Sequence, residues 1–396
     1  MPRRGSLEPA GILKRRYLEF VQLADTTTLR ILEFFYNQSN VRVLYDAVRK
    51  LNMPSTSFWR RISTLKRKGI TFTIDIDERK IGLSKISFFL YDVFLNRYEI
   101  PHSHWYNAYT VSSVPFGTHL VYYYPITYGY KFIKDEINKI CKEEKTDYLM
   151  IDYSFTFSAK PSFTKYFDVE RGRFNYFWKE WIDKIKEILE YRETVKEENP
   201  AIFINEYREK PEDWFDLLIL KELQKDAFKS FKEISESIGI RTWKVKYHYD
   251  KHILAKGVIK GIRPKLIYTD ITNAYTCIMI LQIGEISGCK LSKLIDFLIR
   301  LPFILVVTLS SDLKILSLQI VIPYDELIGF FHFKKILKKY FKIILEFNYH
   351  YQYSSKRTIP FTNYNPYTGV WVKYPSELAS FLEEKLAKGR EPSAVR

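Results

Sequence analysis

The stretch from Met53 to Gly69, MPSTSFWRRISTLKRKG, decides how the rest of the chain is read. Phe58, Ile62 and Leu65 recur at helical spacing and make one inward stripe. Ser55, Thr56, Ser57, Arg60, Ser63 and Arg67 are left on the other face. Short hydroxyls there allow close approach, and guanidiniums suit phosphates or guanine edges. Gly69 stops the helix, and Ile70-Thr71-Phe72-Thr73-Ile74 starts a strand straight after it. The pattern predicts the second, groove-entering helix of a winged helix-turn-helix; the competing reading is a surface helix with solvated charges.

Working outward, helices are predicted at 28–36 (Leu29, Leu32 and Phe35 on one face) and 43–51, with Asn52-Met53-Pro54 as the turn. Strands at 70–76 and 80–83 would make a wing around Asp77-Glu78-Arg79. The pattern then recurs. Helices are predicted at 214–223, 231–238 and 241–256, the last stopped by Gly257, and a second wing starts at Val258. Gly69 and Gly257 lie 188 residues apart, and Leu29 with Leu217, and Leu32 with Leu220, keep that spacing. This predicts internal duplication of a two-domain unit. The predicted fold class is α+β: two winged helix-turn-helix domains, each followed by a ferredoxin-like βαββαβ domain. The expected boundaries are a basic N-terminal segment at 1–24, the first winged helix-turn-helix at 25–83, a ferredoxin-like domain at 84–158 and an aromatic-rich helical connector at 159–212. The second winged helix-turn-helix follows at 213–270, the second ferredoxin-like domain at 271–355, and a tail with a short helix at 356–396.

The chain has 396 residues and a formal net charge of +16, an excess that favours polyanionic partners. Apolar runs long enough to span a bilayer are absent from the sequence, and the N-terminus has no apolar core of a signal peptide. Cys141, Cys277 and Cys289 are widely spaced, which fits a reducing cytoplasm and gives no zinc-type pairing.

Phe58-x-x-Arg61-Ile62-x-x-Leu65-x-x-x-Gly69 resembles the recognition helix of Lrp/AsnC-type transcription regulators. Val245-Lys246-Tyr247-His248-Tyr249, leading to Gly257-Val258-Ile259-Lys260-Gly261, is similar to the same helix and wing, with one extra residue before Gly257. The resemblance implies a βαββαβ effector domain after each head, at 274–353 and more loosely at 84–158. Family members carry one such unit and dimerise, so two units in one chain imply a covalent pseudo-dimer with two reading heads. The expected DNA-binding residues are Ser55, Thr56, Ser57, Trp59, Arg60, Arg61, Ser63, Arg67, Arg79 and Lys80 in the first head. In the second they are Arg241, Thr242, Lys244, Lys246, Tyr247, His248, Lys251, Lys260 and Arg263. Trp59, Trp243 and Tyr247 would pack on sugars or thymine methyls, or equally in a core or interdomain contact.

Other chemistry is weakly signalled. His248 and His252 stand four apart on a helix, a spacing that can bind a metal, but the sequence pattern supplies no third ligand. His102 and His104 form a loop pair without partners, and Asp147 and Asp152 read as strand-edge charges. Phosphate-loop, dinucleotide, nucleophile-elbow and zincin motifs are missing. The expectation is therefore a cytoplasmic, nucleoid-associated DNA-binding transcription regulator, not an enzyme, without cofactor or metal. An architectural DNA binder and a protein-interaction module are the alternatives. The expected partners are double-stranded DNA, a second copy of the chain through the ferredoxin-like domains, and an unidentified small-molecule effector.

Overall fold

The computed structural model describes residues 10–374 except 37, 43, 96–99, 101–104, 192–210, 212 and 357. The His102/His104 pair and the tail helix expected near 376–388 lie outside the described residues. Helix α1 (Ala10–Leu23) buries Leu13 and Phe20. The first helical trio is α2 (Thr26–Tyr36), α3 (Leu44–Lys50) and α4 (Ser55–Arg67). Asp25 closes the start of α2, accepting the Thr28 backbone N–H at 2.7 Å. Phe58, Ile62 and Leu65 are buried, as their spacing requires. Gly69 sits at φ 81°, which a side chain at that position would resist.

Strand β1 (Thr71–Ile76) follows, but the chain does not turn back on it. Residues expected as the second wing strand instead form a 3-10 turn, Glu78–Ile81, closed by Gly82 at φ 83°. That turn feeds directly into β2 (Leu83–Tyr91). Then come β3 (Tyr106–Val114), β4 (Phe116–Pro125), α5 (Lys131–Glu143) and β5 (Tyr148–Ser158). The connector holds a single turn α6 (Phe163–Tyr166), a small hairpin β6 (Phe167–Asp168) and β7 (Arg173–Phe174), and α7 (Trp178–Glu190). Its aromatic band is core: Trp181 is fully buried, with its ring 5.6 Å from Phe303.

The second trio is α8 (Trp214–Lys225), α9 (Phe231–Ile238) and α10 (Thr242–His248). Capping boxes at Asp213 and Ser230 start α8 and α9. Helix α10 runs on into a π-helical turn, Tyr249–Leu254. From Val245 to Gly257 there is one residue more than from Phe58 to Gly69, and a π turn is how a helix absorbs one extra residue. Then follow β8 (Ile259–Lys265), β9 (Ala274–Ile283), α11 (Gly288–Leu298), β10 (Ile304–Ser310), β11 (Ile315–Pro323), α12 (Leu327–Tyr340), β12 (Phe341–Lys356) and a short hairpin, β13 (Tyr364–Asn365) with β14 (Val370–Trp371).

The two expected wings are corrected by the pairing. β1 pairs antiparallel with β8, from Thr71 opposite Lys265 to Ile76 opposite Ile259. Each head thus contributes one strand to a shared ribbon. The reason is apolar surface: β1 buries Phe72, Ile74 and Ile76, and β8 offers buried Ile259 and Ile262 over a matching length. A four-residue return at 80–83 offers less.

The ferredoxin-like domains expected at 84–158 and 271–355 do not form separate sheets. The eight remaining long strands close into one barrel in the order β10-β11-β9-β12-β3-β4-β2-β5. Within it, β9 to β12 with α11 and α12 keep the ferredoxin-like order. The strands β2 to β5 keep the same order, with only α5 among the described residues as a helix. The halves join at β5–β10 and β12–β3, so edges that would template aggregation are used up. β12 makes the longer seam, pairing with β9 through Asn348 and with β3 beyond it. Side chains alternate along β9: Cys277, Met279 and Leu281 meet the helices, while Ile278 and Ile280 face a small interior core with Phe89, Ile151, Leu345 and Phe347. His119 lies in that interior, stacked on Phe89 at 4.0 Å with its Nε2 2.7 Å from Ser87 Oγ. Among the described residues there are twelve α-helices, and none is long and apolar enough to cross a membrane.

Candidate anion-binding site

The ribbon, the barrel and the N-terminal helix meet around a cavity of about 590 Å³. Arg16 enters from α1, Tyr36 from the end of α2, and Arg263 and Lys265 from β8. The barrel supplies Thr110 on β3, Gln319 on β11 and Lys356 at the end of β12. Lys356 stands opposite Ala108, and Ser354 opposite Thr110, so the seam between the two barrel halves forms one wall. Gln319 donates to the Tyr349 hydroxyl at 2.6 Å, which ties the cavity wall to the barrel interior.

The lining carries four cationic side chains and no carboxylate. The crowd of protein atoms and the neighbouring Arg263 and Lys85 push the Lys356 ammonium down to about 8, while the residue keeps exposed surface at the cavity. Lys265 is lowered by burial and by Arg263. Lys160, next to the lining residue Ala159, is lowered chiefly by burial, against the pull of Asp75. Arg16, Lys265 and Lys356 keep exposed surface, so what a bound anion relieves is their crowding with Arg263 rather than full desolvation. The nearest acids are already engaged. Burial works against Asp75, yet Arg263 (3.3 Å), Lys260 and Ser158 hold its carboxyl below the usual range. Glu78 is held down in the same way against burial, chiefly by Lys85 at 2.6 Å. Burial, with Tyr268 beside it, raises the Tyr36 phenol well above its ordinary value, so it is a neutral donor. A second hollow, about 480 Å³ between α7 and α11, mixes both signs of charge and selects no anion.

The residues expected to bind DNA fall in three separate places. Ser55, Thr56, Trp59, Arg60, Ser63 and Arg67 are exposed on α4, with Ser57 half-buried. Arg241, Thr242, Lys246, Tyr247 and Lys251 are exposed on the second trio; Lys244 is half-buried over the Trp243 ring. Others face inward. Arg61 bonds Asp25 at 2.5 Å and Thr28 at 2.9 Å. His248 is buried with its Nδ1 2.9 Å from Asp216. Arg79 is paired with Asp77 at 3.1 Å, and Lys80 donates to the Lys256 carbonyl at 2.9 Å. Lys260 donates to the Thr156 carbonyl at 3.1 Å. Only Arg263 reaches the cavity. Arg16, Tyr36, Thr110, Gln319 and Lys356 carry no local signal in the sequence, since the cavity is assembled from segments far apart along the chain.

No family model and no curated protein sequence matches the chain. Among solved structures, the crystal structure of the siroheme decarboxylase NirDL matches with a TM-score of 0.50 and 11% identity, covering 90% of this chain and 99% of that one. The structure of NirDL in co-complex with an iron-uroporphyrin III analogue matches with a TM-score of 0.43 and 11% identity, covering 91% and 99%. The first match corrects three expectations. The helix and wing residues that resemble Lrp/AsnC-type regulators lie in a fold that an enzyme also has over its whole length, so membership of those regulators does not stand. Neither does the DNA-binding regulator function drawn from it, nor the exclusion of an enzyme. The physical reason is that recognition-helix spacing reports how a helix packs, and says nothing of what its outer face meets.

Proposed function

We propose that the chain is an enzyme that binds a polycarboxylate of tetrapyrrole class in the cationic cavity and removes carboxylate as CO₂. The observation that carries this reading is the acid-free lining with Arg16, Arg263, Lys265 and Lys356. The shared fold with a siroheme decarboxylase supports it. The volume lies within the usual range for small-molecule sites, roughly 300–1,000 Å³. Arginine would clamp carboxylates bidentately, lysine as point charges. Tyr36 and Thr110 would supply neutral donors.

Loss of CO₂ from an acetate side chain is redox-neutral. The C–C bond to the carboxylate breaks, CO₂ leaves, and one proton takes its place on carbon. Lys356, with its ammonium near 8, is the group suited to give that proton and regain it from water. We further read the two halves as an internal duplication, supported by the shared strand order and by the matched spacing of Asp25 with Asp213 and Leu29 with Leu217.

The test is incubation of the full chain with siroheme or uroporphyrin III, with CO₂ loss followed by mass spectrometry. The expected result is stepwise loss of CO₂, slowed ~100-fold or more in Lys356→Met. Unchanged substrate, or turnover indifferent to Lys356→Met, overturns it.

A further inference from the structure

The second helical trio buries two histidines and a carboxylate at one point. Asp216 on α8 is 4% exposed and His248 on α10 is 8% exposed. Asp216 Oδ1 lies 2.9 Å from His248 Nδ1 and 3.1 Å from His252 Nδ1, and its Oδ2 lies 3.2 Å from the latter. One ligand atom from each residue lies within 4.8 Å of the others. We propose that Asp216, His248 and His252 form a binding site for a divalent cation of the zinc class.

Both imidazole Nδ1 atoms converge on the same carboxylate oxygen. A tetrahedral ion with bonds of ~2.0–2.1 Å holds its ligand atoms about 3.3 Å apart, close to the two Asp216–imidazole distances of 2.9 and 3.1 Å. Two imidazoles and a carboxylate suit Zn²⁺, with Co²⁺ and Ni²⁺ as surrogates. Three protein ligands leave a fourth position for water. His252, whose side chain is 18% exposed, opens that side to solvent.

The surroundings orient the ligands. Asp216 Oδ2 accepts the Asp213 backbone N–H at 3.1 Å within the capping box. The Phe215 ring meets His248 edge-on at 5.6 Å, and Tyr247 meets His252 at 5.5 Å. Such outer contacts fix ring orientation in metal sites. His248 ends α10 and His252 lies within the π turn Tyr249–Leu254 that carries the extra residue. The ion would cross-link the first and third helices of this trio. It would thereby steady β8, which leaves the π turn through Gly257 and brings Arg263 and Lys265 to the cavity.

The experiment uses tag-free full-length chain stripped with a chelator, then titrated with Co²⁺ and back-titrated with Zn²⁺. The expected result is one equivalent of Co²⁺ with the visible absorption of a four-coordinate site, displaced by Zn²⁺, and a raised Tm. His248→Gln and His252→Gln should each weaken binding beyond the roughly 10–100-fold that loss of an outer partner costs. His252 is the more exposed ligand, so its variant keeps the test valid if His248→Gln misfolds; circular dichroism checks the fold. The proposal fails if the stripped chain takes up no equivalent of Co²⁺, or if folded His252→Gln binds as the parent does.

Discussion

The two helical trios are built alike but use the same interior position differently. In the first, Arg61 crosses from the third helix to Asp25 and Thr28 at the start of the first. In the second, His248 and His252 cross to Asp216, which follows the cap residue Asp213 as Thr28 follows Asp25. Arg61 and Asp25 remain about a third to a half exposed, whereas Asp216 is buried. A half-exposed ion pair can be replaced by water. A buried carboxylate facing two imidazoles cannot, so the second arrangement holds more of its trio's stability and has ligand chemistry that the first lacks.

That contrast breaks most sharply under alanine. Asp216→Ala should cost ~3–5 kcal/mol, the range for leaving one side of a buried polar pair unmatched. Asp25→Ala should cost about 1–2 kcal/mol, from a lost cap and a weak pair. Urea unfolding of both variants measures the difference; equal costs would erase the distinction.

The barrel interior repeats the asymmetry. The first half places His119 on β4 against Phe89, where Phe347 of the second half meets it edge-on. Burial pushes His119 down to about 3, so its neutral form is favoured in the folded state. The unfolded chain takes up this proton near pH 6.5, the folded one only near 3. The stability His119 confers is thus fully present above about pH 6.5. It is lost at ~1.4 kcal/mol per pH unit as pH falls through that window. His119→Phe should flatten the slope in denaturation curves taken between pH 6.5 and 4, whatever it does to stability at neutral pH.

At the seam between the halves, Lys356 is cationic below about 8. Binding of a polycarboxylate should hold steady below that pH and weaken above it. Lys356→Met should remove that limb of a pH-dependent titration. The smallest effect belongs to the outer helix faces. Arg60→Ala on the first trio and Lys246→Ala on the second should each change stability by no more than about 0.5 kcal/mol.

Much of the local structure was legible in the sequence. Phe58, Ile62 and Leu65, and Leu217, Leu220 and Leu223, mark buried helix faces because amphipathic spacing is a local property. His248 was also within reach. It lies three residues after buried Val245, on the inward face, but its polarity favoured an outward reading. The rest depends on partners remote in sequence. Asp77-Glu78-Arg79 looks like a hairpin tip, yet β1 finds its partner in β8, and nothing near β1 announces it. Barrel closure through β5–β10 and β12–β3 is equally non-local. The cavity inherits that: its cations come from α1, β8 and β12, and no short stretch contains them.

The most direct test of the cationic cavity is an absorbance titration of the full chain with uroporphyrin III and with its methyl ester, at low and raised salt. One bound equivalent of the free acid is expected, weakened by salt and by Arg263→Met with Lys356→Met, with little binding of the ester. Equal binding of acid and ester, or binding untouched by the double substitution, would contradict it.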